Sequence, residues 1–300
     1  MGLCSSKLSE KADSIKSQKE IEFQYIDGRR FHNVETVVYP LPNDEDETDR
    51  LHFRHFLTRY IWQSNFSAPI NHLLDNPETE ILDVGYPSIN IIGIDISLQQ
   101  PTQIKPNNFN FVKANVLEGI PFDNNTFDYV FQRSLMGAFS EQDWILVITE
   151  LVRVLKPGGY IELMEHSMLY NMGPATKRLC DAQMDAMKIR GTDPFITLKL
   201  AKMLQSQGQL ENIKEEVREC HHGLSSNKAE LNLSKTAVSN MVTLYAAWKP
   251  RLTKTMQISY EEFDELAKIS EKELFEYDTY FKLVRVYARK VVNGNNEIIG

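Results

Sequence analysis

The chain has 300 residues, 42% hydrophobic and 25% charged, and its 33 basic and 41 acidic side chains leave a net charge of -8. That composition excludes collagen, a disulfide-dense secreted module and wholesale disorder, and the acidic balance argues against a dominant nucleic-acid-binding surface. At roughly 150 residues per domain the length holds one large domain or two small ones, and no stretch reaches the ~18 uncharged apolar residues of a membrane span. The three cysteines, Cys4, Cys180 and Cys220, form no C-x-x-C pair. Their odd number argues against a disulfide framework and points to a reducing, cytoplasmic compartment. His221 and His222 follow Cys220 with no second ligand pair at zinc spacing, so no metal is expected.

The first residues, Met1-Gly2-Leu3-Cys4-Ser5-Ser6-Lys7, fit the N-myristoylation pattern, with Gly2 as acceptor and Cys4 placed for a second, palmitoyl chain. One acyl chain alone binds membranes only marginally, so the pair and the nearby lysines would act together at the cytoplasmic face. The alternative is a polar tail, disordered over residues 1–20, whose second residue happens to be glycine. Residues 21–40 read as a hairpin or extended arm. The acidic run Asn43–Glu47 reads as a helix start, because Leu51, Phe53, Phe56, Leu57, Tyr60 and Ile61 follow at helical spacing.

From residue 80 short apolar runs alternate with helical patterns. Glu80–Gly85, Ile91–Ser97, Phe109–Asn115, Thr126–Gln132 and Tyr160–Met164 read as strands, and about 141–155 as a helix stopped by Lys156-Pro157-Gly158-Gly159. The alternation predicts an α/β fold with a mostly parallel sheet and helices on both faces.

The ordered set ILDVG, GIDIS, FVKANVLEGIPFDNNTFDYVFQR and ELVRVLKPGGYIELME resembles the S-adenosylmethionine-dependent methyltransferases with a Rossmann-like fold, closely over residues 80–166. The helices between Gly173 and Gly208 resemble the insertion of fungal members. The resemblance implies roles by position. Asp83 and Gly85 belong to the glycine-rich motif around the methionine part of S-adenosyl-L-methionine. Asp95 takes the ribose hydroxyls, as a carboxylate can accept two vicinal O–H donors. Ile96 flanks the adenine, Asn115 and Val116 read its edge, and Gln132 with Arg133 lines the mouth where cofactor and acceptor meet. These positions converge at the carboxyl ends of the strands, where such sheets bind ligands. His166 is the one histidine placed to act as a base, against a plain strand-end role.

The pattern breaks in the first βαβ unit. A dinucleotide-type site separates its glycine loop from its acid by roughly 20 residues, whereas Gly85 and Asp95 are 10 apart. The chain passes from Gly85 through Tyr86-Pro87-Ser88-Ile89-Asn90 straight into the second strand. About one short helix is missing, against the dozen or so residues of a parallel crossover. Three outcomes are expected: the first strand shortens and breaks, the strand pairing changes, or the helix near 51–63 moves into the gap. Cofactor binding should be weakened or lost, because backbone N–H groups and close approach go with the glycines.

After the sheet core, helical patterns cover about 167–210 and 225–278, with a strand over 213–222 and a closing strand over 280–292. The expected architecture is a single domain over 21–300 with a helical insertion before the last two strands. The leading functional reading is methyl transfer to a small-molecule or protein acceptor, not nucleic acid. An inactive, membrane-tethered binding or scaffold protein is the alternative. A nicotinamide dehydrogenase also places an acid after a strand, but KPGGYIEL fits it poorly.

Overall fold

The computed structural model describes residues 23–32, 41–74, 76, 79–82, 90–96, 108–223 and 227–292. The acylation pattern at Gly2 and Cys4, the second half of the 21–40 arm, and Asp83 and Gly85 lie outside them. The chain divides into two compact units, each built from discontinuous segments.

The first unit takes residues up to Leu57, Asn171–Arg190 and His221–Thr279. It opens with the antiparallel hairpin β1 (Phe23–Ile26) and β2 (Arg29–His32). Asp27 and Gly28, with φ of 51° and 76°, make the left-handed turn that an Asp-Gly pair adopts readily. Helix α1 (Glu45–Trp62) begins where its acidic run places it. Asp44 accepts the Glu47 amide at 3.1 Å and pairs with Arg29 through two contacts of 2.5 and 2.7 Å. Glu47 and Arg50 form an ion pair buried on both sides. The apolar residues expected to bury α1 do not all do so: Phe53, Phe56 and Tyr60 are 59%, 64% and 49% exposed. Their spacing is helical, but the buried face is the one carrying Leu57 and Trp62.

Three further helices pack against one another in this unit: α3 (Pro174–Ile189), α5 (Lys228–Met256) and α6 (Tyr260–Glu276). Pro174 opens α3, where its missing N–H costs nothing. The next two amides, of Ala175 and Thr176, are accepted by the buried carboxylate of Glu273 on α6 at 3.0 and 2.7 Å. His222 is fully buried, with Nδ1 2.8 Å from the Thr279 carbonyl, and burial lowers its pKa to about 4.

The second unit takes Thr58–Tyr170, Gly191–Cys220 and Tyr280 onward. Its core is a seven-stranded sheet in the order β5-β4-β3-β6-β7-β9-β8. The strands are β3 (Glu80–Leu82), β4 (Asn90–Asp95), β5 (Phe109–Lys113), β6 (Phe127–Arg133), β7 (Leu155–Tyr170), β8 (Leu210–His221) and β9 (Tyr280–Lys290). Strands β3 to β7 pair in parallel and β9 runs antiparallel to β7, so the expected Rossmann-like, mostly parallel sheet is present.

Of the three expected outcomes a changed strand pairing is not found: β3 pairs in parallel with β4, Glu80 beside Asn90 and Leu82 beside Ile92, while residues 83–89 lie outside the described residues.

One face of the sheet is covered by residues at and after the end of α1. Trp62, Ala68 and Ile70, with Phe66, Leu73 and Leu74 at their margin, pack on the sheet face made by Ile81, Ile91, Tyr129, Phe131 and Met164. What covers this face is therefore the last turn of α1 and the segment after it. That segment is held by Glu162, which is 0% exposed. Its carboxylate accepts the Ser67 amide at 2.9 Å, the Ala68 amide at 2.8 Å and the Tyr129 hydroxyl at 3.1 Å. Arg285 lies 3.4 Å from the same carboxylate, stacks over Trp62 at 4.3 Å and donates to the Ser64 and Asn65 carbonyls. Burial raises the pKa of Glu162 and lowers that of Arg285, so both charges are held against the cost of desolvation.

Alternation puts Val130, Ile161 and Leu163 on the opposite face, and α2 (Glu141–Val154) packs against β7. A reciprocal Ser140–Asp143 capping box starts α2. The helix ends at Val154, and Lys156–Gly159 belong to β7 rather than to a separate stop. The residue before a proline avoids helical geometry, Gly158 sits at a φ of 83°, and a Cβ on Gly159 would meet the Asp128 carbonyl at 2.7 Å. Within the helical pattern over about 167–210, α3 is followed by a 3-10 turn, Ile196–Leu198, and the short α4 (Leu200–Ser206). The second helical pattern, over about 225–278, is α5 and α6, which fall between β8 and β9.

Candidate functional site at the carboxyl edge of the sheet

The parallel strands end in the residues that would form a ligand site. Asp95 is the last residue of β4 and is exposed, and Ile96 beside it is half-buried. Extension of β4 by its pairing with β5, through Asp95 opposite Lys113, carries the acid to the tip of the strand. Asn115 follows β5 and starts the 3-10 turn Val116–Glu118. Its Oδ1 accepts the Leu117 amide at 3.1 Å and its Nδ2 donates to Glu118 at 2.8 Å. Both ends of this amide are engaged locally, so Asn115 shapes the turn and Val116, half-buried, is its first residue.

Gln132 is buried near the end of β6, opposite Leu163 of β7. Two residues further along β7, on the same face, stands Glu165. Gln132 Nε2 donates to Glu165 Oε1 at 2.7 Å, and that carboxylate also accepts the Leu135 and Met136 amides at 2.7 and 3.1 Å. Ser134, between them in the chain, adopts a left-handed φ of 61° with its amide on the Met164 carbonyl. The tight turn it makes aims the next amides back at Glu165. Gln132 Oε1 is buried with no hydrogen-bond partner among the described residues.

Of the predicted residues, the structure thus places Asp95, Ile96, Asn115, Val116 and Gln132 along one edge of the sheet, with Arg133 ending β6. It does not bring His166 to the Gln132 side. His166 follows Glu165 and so faces the other way, its ring edge-on to Phe281 and its Nδ1 3.1 Å from the Ser167 carbonyl. Sequence reasoning passed over Glu165 and Glu162. The signal was there in Glu162-Leu163-Met164-Glu165, two acids inside an otherwise apolar strand, which must be hydrogen-bonded to be buried. Among the described residues no cluster of three or more His, Cys, Asp or Glu side chains could hold a metal, and no helix is long and apolar enough to cross a membrane.

The donor set fits S-adenosylmethionine in two places: a carboxylate at the β4 tip for vicinal hydroxyls, and a buried acceptor near the end of β6 still open to an N–H or O–H donor. Comparison with known proteins agrees with this arrangement. Residues 79–159 match the family model described as a methyltransferase domain. The methyltransferase pytC of Aspergillus terreus is 34% identical over 158 residues, 48% of this chain and 46% of the relative. The secondary metabolism regulator laeA of Coprinopsis cinerea is 27% identical over 46% of this chain and 38% of its own length. In both cases the match spans half or less of the relative. The N-methyltransferase tcpN of Claviceps purpurea is 26% identical over 82% of this chain and 95% of its own. Over its sheet the chain is thus similar to the S-adenosylmethionine-dependent methyltransferases of Rossmann-like fold, with the methyltransferase-domain match lying over residues 79–159.

Proposed function

We propose that this protein methylates a small-molecule acceptor of fungal secondary metabolism, with cofactor affinity below that of an intact site. The observation that carries the reading is the exposed Asp95 carboxylate at the tip of β4, in a sheet that keeps the parallel order β5-β4-β3-β6-β7 with β9 antiparallel beside it. Relatives described as a methyltransferase, an N-methyltransferase and a secondary metabolism regulator support the acceptor class. When bound, S-adenosylmethionine supplies an already activated sulfonium methyl group, and the protein's part is binding, orientation and exclusion of water. Asp95 would hold the ribose, Ile96 would lie against the adenine, and Gln132 would offer its acceptor to the reacting end. Weakened affinity follows from the seven residues between Leu82 and Asn90, too few to supply both a glycine loop and a crossover helix.

Isothermal titration of the purified chain with S-adenosylmethionine tests the proposal. Binding weaker than micromolar is expected, abolished in Asp95→Ala and strengthened when a loop and helix of about a dozen residues is inserted after Gly85. Micromolar affinity in the unaltered chain would overturn the weakened site. Binding that ignores Asp95→Ala would overturn the cofactor placement.

A further inference from the structure

We propose that Glu165 is a positioning residue that locks the Gln132 amide so that its carbonyl oxygen receives an alkylamine or alkylammonium N–H at the reacting end of the site. The inference rests on the cofactor reading above and deepens it.

A glutamine amide has a donor limb and an acceptor limb and can turn over unless something distinguishes them. Here the carboxylate of Glu165 takes the Nε2 limb at 2.7 Å, and a carboxylate accepts only from the nitrogen side. Glu165 is itself fixed by two backbone amides, of Leu135 and Met136, which the left-handed turn at Ser134 aims at it. The chain of constraints therefore runs from backbone to Glu165 to Gln132, and it leaves Oε1 as a rigid acceptor.

That oxygen is buried and has no partner among the described residues, in a side chain only 7% exposed. An unsatisfied buried acceptor is unfavourable in the free protein, and this one lies near the carboxyl end of β6, the edge where such sheets bind ligands. The occupant must bring an N–H or O–H. An amine or ammonium is favoured over a hydroxyl nucleophile, because Gln132 cannot take a proton and His166 is turned to the other face. The negative charge of Glu165 behind the amide adds attraction for a cationic nitrogen. Two nitrogens have this chemistry: the amino group on the amino-acid part of the cofactor, and the amine of an acceptor.

Affinity measurements separate them. Wild type, Glu165→Gln and Gln132→Leu are titrated with S-adenosylhomocysteine, with 5′-methylthioadenosine, which lacks the amino-acid part, and with n-butylamine on protein saturated with S-adenosylhomocysteine. A loss of about tenfold or more in both variants, confined to S-adenosylhomocysteine, supports the proposal with the cofactor's amine as donor. The same loss confined to n-butylamine supports it with the acceptor's amine as donor. Equal affinities of the three proteins for every probe overturn the lock while leaving the cofactor reading standing. An equal loss of all probes in the variants shows a merely structural role and overturns it. No binding of any probe to the wild type overturns the lock and the cofactor reading together.

Discussion

Glu162 holds the segment that covers one face of the sheet, and replacing it with glutamine should be among the most destabilising single changes of charge in this protein. The carboxylate accepts from three donors, the Ser67 and Ala68 amides and the Tyr129 hydroxyl, and forms an ion pair with Arg285 at 3.4 Å. Glutamine keeps the volume and one acceptor but presents an NH2 group where donors already converge. Each buried donor left without an acceptor costs ~1–3 kcal/mol, and removing one member of a buried ion pair costs ~3–5 kcal/mol. The two routes give the same expectation, a loss of ~3–5 kcal/mol for Glu162→Gln. Burial raises the Glu162 pKa, opposed by the Arg285 charge and by the hydrogen bonds of Ser67, Ala68 and Tyr129. The penalty comes from the stranded donors. Arg285→Met should cost as much, because it leaves the buried Glu162 carboxylate without its cation and the Ser64 and Asn65 carbonyls without their donor. Urea unfolding followed by tryptophan fluorescence measures both, and Trp62, stacked under Arg285, reports locally. A loss below ~1 kcal/mol in Glu162→Gln would refute the reasoning, as it would mean the segment is held by its apolar residues alone.

Other expectations concern the helical unit. His222 has its pKa lowered to about 4 by burial, from an ordinary value of 6.5. A depressed histidine means the unfolded chain binds the proton more tightly, so stability is complete above pH 6.5 and falls as pH drops from there to about 4. Urea midpoints should decline by the equivalent of ~2 kcal/mol between pH 7 and pH 5, and His222→Gln should flatten that decline; an unchanged slope in the variant would assign the acid sensitivity elsewhere. Glu273→Ala removes the acceptor for the Ala175 and Thr176 amides at the start of α3. It should lower stability by ~2 kcal/mol, read as a drop in thermal midpoint, and Glu273→Gln should lose less because one acceptor remains.

Much of the fold was legible in the residues. Short apolar runs alternating with helical patterns marked the strands, and the helical pattern over about 141–155 marked α2. The acidic run before α1 proved to be a helix start because negative charge there meets the free amides of the first turn. Asp95 and Gln132 were legible as strand-end polar residues in a sheet whose ligands bind at the carboxyl edge. The exposure of Phe53, Phe56 and Tyr60 was not, because periodicity identifies a helix without saying which of its faces a neighbour will cover. Glu165 escaped notice for a similar reason: its meaning depends on the register that sets it diagonally from Gln132 across two strands.

By itself, the sequence determined the order and type of the elements, the acid after the second sheet strand, and a gap too short for a crossover helix, since all of these are local in the chain. Only the tertiary structure decided what covers the sheet. Glu162 and Arg285, 94 and 221 positions further along the chain than their partners Ala68 and Ser64, hold the Ser64–Ala68 segment over a sheet face that is buried beneath it. The physical reason is that a buried face and a buried carboxylate each need partners, and which distant segment supplies them is settled by register and packing rather than by any local pattern.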